Sequence, residues 1–169
     1  MSSGRTQLPG SSTLHYNLFM GFDPKATEAR LALSLILSTD MPRLAWDALE
    51  AGLDGPAIRR LAALESPSAC EVQKLLPRAM EEMHLARRDK AEAALLLAKM
   101  RAQEIVRSGA DLFQHLRDFE YFWAQADFCS ELCDYGTLED EVHVARYMGQ
   151  SEQEIRGWVM EKIRKLASG

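Results

Sequence analysis

The sequence predicts an all-α protein, an irregular single-domain bundle of about seven or eight helices. Three observations carry that expectation. Ser68 with Glu71, Asp89 with Glu92 and Ser151 with Glu154 each set an N-capping residue three positions before a glutamate, the spacing at which each side chain can satisfy the other's backbone N–H. Apolar residues recur three and four apart from about residue 23 to the end, marking one face of a helix. No stretch alternates as a strand does, and no hairpin dipeptide joins two alternating runs. A chain of 169 residues is naturally one domain with a substantial core. Residues 13–169 are expected to form it, with 1–12, rich in Ser, Gly and Pro, as a flexible tail.

Asp23 before Pro24 is a helix start, because a proline in the first turn loses no hydrogen bond. The run Ala29, Leu31, Ala32, Leu33, Leu35, Ile36 and Leu37 is apolar nearly all round, which predicts a central helix. Asp40-Met41-Pro42 opens a second helix with Leu44, Ala45, Ala48 and Leu49 at helical spacing, and Gly52 is its expected stop. Asp54-Gly55-Pro56 opens a short third helix through Ile58, Leu61, Ala62 and Leu64. The Ser68 box begins a fourth, in which Pro77 should force a kink or a break. The Asp89 box begins a fifth, reaching about Arg107 with Gly109 beyond its cationic end. From Asp111 to Tyr135 the pattern stays helical and crowded with aromatics. Gly136 and Thr137 read as a turn, and 138–148 as a further short helix. The Ser151 box opens the last helix, through Ile155, Trp158, Val159, Ile163 and Leu166.

Residues 48–62 read Ala-Leu-Glu-Ala-Gly-Leu-Asp-Gly-Pro-Ala-Ile-Arg-Arg-Leu-Ala. This resembles a recurrent segment of uncharacterised small all-helical bacterial proteins, in which a Gly-Asp-Pro corner links two helices. A helix with an acidic start follows there, as at 68–83 here. The resemblance covers about residues 48–83 and implies a fold relative without an attached activity.

Composition narrows the function classes. The N-terminus has no apolar core of a signal peptide, and no apolar run approaches a membrane span, so a cytoplasmic address is expected. Three cysteines, Cys70, Cys129 and Cys133, argue against a disulfide framework. They are expected as small buried apolar residues, with Cys129 and Cys133 on one helix face. The net charge of −5 is unevenly spread. Residues 109–154 hold only Arg117 and Arg146 against eleven acids, whereas the last fifteen residues are basic. So little basic surplus makes nucleic acid a poor partner. The corner at 52–56 followed by Arg59 and Arg60 has the outline of a helix-turn-helix, but two arginines among alanines would grip phosphates weakly.

No nucleophile elbow, Cys/His pairing or phosphate-cradling glycine loop is present, which argues against an enzyme. One metal reading exists. Glu81 with His84 and Asp140 with His143 repeat an acid-x-x-His spacing, and Glu50 and Glu104 could complete a carboxylate-bridged di-metal site. With 25 acids and four histidines such spacings arise by coincidence, and no cofactor is expected. Seven of thirteen aromatics fall between Phe113 and Tyr135, interleaved with acids. Leu112, Leu116, Phe119, Trp123 and Ala126 form a core seam. Tyr121 and Phe128 point elsewhere, toward an acidic face. Asp118, Tyr121, Asp127 and Phe128, with Glu131, Asp134 and Tyr135, are therefore the candidate binding face: aromatic anchors with acids that steer a basic protein partner. The concrete expectation is a small soluble binding protein, an immunity-protein-like or antitoxin-like neutraliser or adaptor. A structural subunit of a larger complex is the remaining alternative. Oligomeric state does not follow from spacing.

Overall fold

The computed structural model describes residues 21–169; the expected tail, 1–12, lies outside them. The described chain is all-α, with no strand. Its α-helices are α1 (Pro24–Ala32), α2 (Met41–Glu50), α3 (Pro56–Ala62), α4 (Ala69–Glu82), α5 (Lys90–Ser108), α6 (Leu116–Gln125), α7 (Cys133–Gly136), α8 (Leu138–Tyr147) and α9 (Glu152–Ser168). Three short 3-10 turns precede α2, α6 and α7.

All the expected caps form, two of them as reciprocal boxes and the Asp89 one without a return contact from Glu92. Ser68 and Ser151 form reciprocal boxes with Glu71 and Glu154. Asp89 caps α5 by accepting from the N–H groups of Ala91 and Glu92, and Asp23 caps α1 from Ala26. Each such cap satisfies donors that would otherwise be orphaned and is worth about 1 kcal/mol. Helix α4 runs through Pro77 to Glu82. The exposed proline costs it one backbone hydrogen bond without ending it, because packing of Val72 and Ala79 on either side holds the helix.

The expected central helix is shorter than the apolar run suggests. It stops at Ala32, and Ser34 takes a left-handed φ of 55°. The N–H of Leu35 then returns to Arg30 O at 2.8 Å, the wrap that closes a helix C-terminus. Leu37 is consequently exposed rather than central. The same wrap ends α2 at Gly52 and α8 at Gly149, and also ends α4 at His84 and α6 at Asp127. Periodicity is blind to such an ending when the left-handed residue is not glycine.

Burial falls into two clusters. Ile36, Met41, Leu44, Ala48, Ile58, Leu61, Val72 and Met83 join α2, α3 and α4. Leu97, Ile105, Leu112, Phe119, Phe122, Leu132, Val159 and Ile163 join α5 to α9, with Ala29 of α1 and Leu33 just beyond it added. Each large side chain so buried contributes about 1.5–3 kcal/mol. Helix α1 bridges the two, packing on α5 while Ile36 just beyond it enters the first cluster. Its buried Glu28 accepts from Ala86 N at 2.8 Å and from Arg88 Nε at 2.8 Å, tying the α4–α5 linker to α1.

Within the first cluster Glu82 reaches from α4 to the start of α3, accepting from Ala57 N at 2.8 Å and Ile58 N at 3.0 Å. A methyl group on Gly55 would overlap that carboxylate. The glycine in the Gly-Asp-Gly-Pro corner thus permits the close approach that caps α3.

Candidate functional site

The end of α6 builds a projecting aromatic. Phe119 and Phe122 anchor the helix in the core. Trp123, half-buried, lies over Gly136, where any Cβ would overlap the indole ring. Its Nε1–H donates to Cys129 O at 2.9 Å, closing the chain between α6 and α7 into a fixed turn. Inside that turn Asp127 and Phe128 take consecutive left-handed φ values of 54° and 60°. Such a conformation costs an L-residue about 1–2 kcal/mol and persists only where its surroundings over-determine it. Here Phe128 stacks edge-on against Trp123, centroids 5.0 Å apart, and Lys90 Nζ holds Asp127 at 2.9 Å from the start of α5. The Phe128 side chain is left 63% exposed. A phenyl ring braced on Trp123 is therefore left largely in water at a strained stretch of backbone.

The remaining expected face divides. Glu131 and Asp134 are exposed on the segment that follows Phe128. Glu131 accepts from Ser130 Oγ at 3.2 Å. Three residues correct the expectation, because they turn inward. Tyr121 and Tyr135 are half-buried against the second cluster. Burial, then the neighbouring Asp134, pushes the Tyr135 phenol above its ordinary range, with Lys162 pulling the other way. Asp118 is only 5% exposed. Its Oδ2 lies 2.8 Å from Arg101 Nε and 3.4 Å from His115 Nδ1. The Nε–H is not aimed well enough for a hydrogen bond, so the contact is an ion pair. Burial pushes the Asp118 carboxyl above its ordinary range, while Arg101 and His115 pull it back.

The acidic excess of 109–154 is also partly cancelled in three dimensions. Arg156 meets Asp111, Arg101 meets Asp118, Lys90 meets Asp127, Arg117 meets Glu139, Lys162 meets Glu141 and Arg146 meets Glu152. Four of those six cations come from outside the segment. The cysteines differ from expectation as well: Cys70 and Cys133 are exposed and Cys129 is half-buried. Cys129 lies in the turn and Cys133 at the first position of α7, so no single helix aligns them. Burial raises the Cys129 thiol above its ordinary range.

The residues of the metal reading are not assembled. Glu81 is on α4 and His84 closes that helix, whereas Asp140 and His143 are on α8. Glu104 is engaged by Arg101 at 2.8 Å. Among the described residues no three His, Cys, Asp or Glu side chains are grouped to hold a metal ion.

Sequence reasoning missed Gly136, Trp123 and Lys90 as the frame of the Phe128 turn. Gly136 looked like an ordinary turn residue, and nothing local pairs it with an indole thirteen positions earlier. It also missed Val144, Tyr147 and Met148, all exposed at the C-terminal end of α8 and its cap, with Tyr147 88% accessible; their helical spacing was a legible signal. The guanidinium groups of Arg146 and Arg156 each lie over the Phe113 ring, at 5.0 and 4.8 Å. No helix among the described residues is long and apolar enough to cross a membrane. The fold and turn together define the class: an all-α protein presenting a fixed aromatic beside carboxylates. Compared with family models, with curated proteins and with solved structures, the chain matches none.

Proposed function

We propose that the protein is a small protein-binding protein, a neutraliser or adaptor of a basic partner in the manner of an immunity protein or antitoxin, and that it docks through the Phe128 turn. The observation that carries this reading is the strained, fully framed exposure of Phe128. A chain gains stability by burying a phenyl ring, so holding one in water at two left-handed residues favours a role outside the chain's own core. Rigid aromatics of this kind dominate binding energy because little conformational freedom is lost on contact. Glu131 and Asp134, with no cation paired to them among the described residues, supply a negative rim that speeds encounter with a positive surface.

The test is affinity capture from the cells that encode the chain, at low and moderate salt, with wild type, Phe128→Ala and the Glu131→Lys/Asp134→Lys double variant. The expected result is a basic protein retained by wild type, lost from both variants, and weakened as salt rises. Helicity by circular dichroism should be unchanged in all three. A partner retained equally by every variant would place the docking surface elsewhere.

A further inference from the structure

The same chain carries a surface complementary to the Phe128 turn. Helices α5 and α9 pack along one another, and Gln103 Nε2 donates to Ala167 O at 3.1 Å. Beside this contact lies an open cleft of about 300 Å³ lined by Gln103, Val106, Arg107, Arg164, Ala167 and Ser168. Val106 is a half-exposed apolar side chain at its edge. Lys90, Arg101, Arg117, Arg146, Arg156 and Lys162 all meet acids elsewhere in this half of the molecule. Arg107 and Arg164, like Lys99 and Lys165 on the same two helices, have no carboxylate within ion-pair distance among the described residues. The cleft thus sets the apolar side chains of Val106 and Ala167 beside two arginines that carry no ion pair.

We infer that the Phe128 turn of one copy docks into the α5–α9 cleft of a second copy of this chain. Volume and charge are both compatible with this contact. An apolar cavity of about 150 Å³ accepts benzene, so the cleft has room for a phenyl ring. Phe128 enters with Glu131 and Asp134 close behind it in the chain, and Arg107 and Arg164 stand where those carboxylates arrive. The two patches are different surfaces, so the contact is heterologous. Each added copy leaves one turn and one cleft free, giving rings if the rotation closes and open chains if it does not. This inference rests on the reading of the Phe128 turn as a docking surface and names the arginine pair on a second copy as the basic surface it meets.

The experiment is molar mass by light scattering across a wide concentration range, at low and high salt. Wild type should grow in mass with concentration at low salt and return toward monomer at high salt. Phe128→Ala should weaken association about tenfold or more, as loss of a central anchor does, and Arg164→Glu should weaken it by setting a like charge against Glu131 and Asp134, with helicity intact in both. Mixed together they should form a one-to-one pair and stop there, because the first variant keeps its cleft and the second its turn. Wild type that stays monomeric throughout, variants that associate as wild type does, or a mixture whose components stay apart would each overturn the inference. If the wild type stays monomeric yet captures a basic protein through Phe128, self-docking falls while the proposed function stands.

Discussion

Single residues decide the candidate site through close approach. Gly136 is the sharpest case, since it is buried beneath Trp123 and any side chain there must displace the indole. Displacement would break the bond from Trp123 Nε1 to Cys129 O and remove the ring against which Phe128 rests. We expect Gly136→Ala to destabilise the fold by about 1–3 kcal/mol, as overpacking does, and to release the Phe128 turn. Chemical denaturation reports the first effect and near-ultraviolet circular dichroism of the tryptophan environment the second. Unchanged stability with an unchanged tryptophan signal would show that the indole does not lie on Gly136. Asp118 illustrates the converse lesson. Its acidity suggested a surface role, yet it is enclosed with Arg101, where burial disfavours its charge.

Helices are closed at both ends by local chemistry, and that chemistry titrates. The Ser68 hydroxyl and backbone N–H hold the Glu71 carboxyl below its ordinary value, and Ser151 does the same for Glu154. A carboxylate depressed in the folded state contributes stability that is present above its unfolded value. That contribution is lost as pH falls through the folded value. Asp118, raised by burial, acts with the opposite sign: its contribution is full below the unfolded value and lost as pH rises through the folded one. Helices α4 and α9 should therefore loosen first on acidification, while the α5–α6 contact around Asp118 does not. Amide exchange at pH 3 against pH 6 should show earlier loss of protection in the first turns of α4 and α9. Equal protection there at both pH values would contradict the capping account.

For the molecule as a whole, the question is how two core clusters behave as one. Glu28 is the polar tie, because its carboxylate satisfies Ala86 N–H and pairs with Arg88 at the junction between them. Glu28→Ala leaves that N–H without its partner, which costs about 1–3 kcal/mol. Beyond the loss itself, the halves should uncouple. Trp46 lies in the first half and Trp123 and Trp158 in the second. Single-tryptophan reporters should give coincident denaturation midpoints in the parent and separated ones in the Glu28 variant. Midpoints that remain coincident would show that α1 packing alone couples the clusters.

The sequence by itself determined the helical class, the N-caps at Ser68, Asp89 and Ser151, the stops at Gly52 and Gly109, and the projection of Phe128 away from the core seam. Those features are local: a cap, a turn or a helical face involves residues within a few positions of one another, so spacing encodes them. Tertiary structure alone decided that Asp118, Tyr121 and Tyr135 face inward, and that six acids of the acidic segment meet cations. It also decided that Trp123 rests on Gly136, while Arg107 and Arg164 share a cleft. Each of these depends on which distant helices pack together. Coulomb attraction and steric overlap act through space, with no regard for position along the chain.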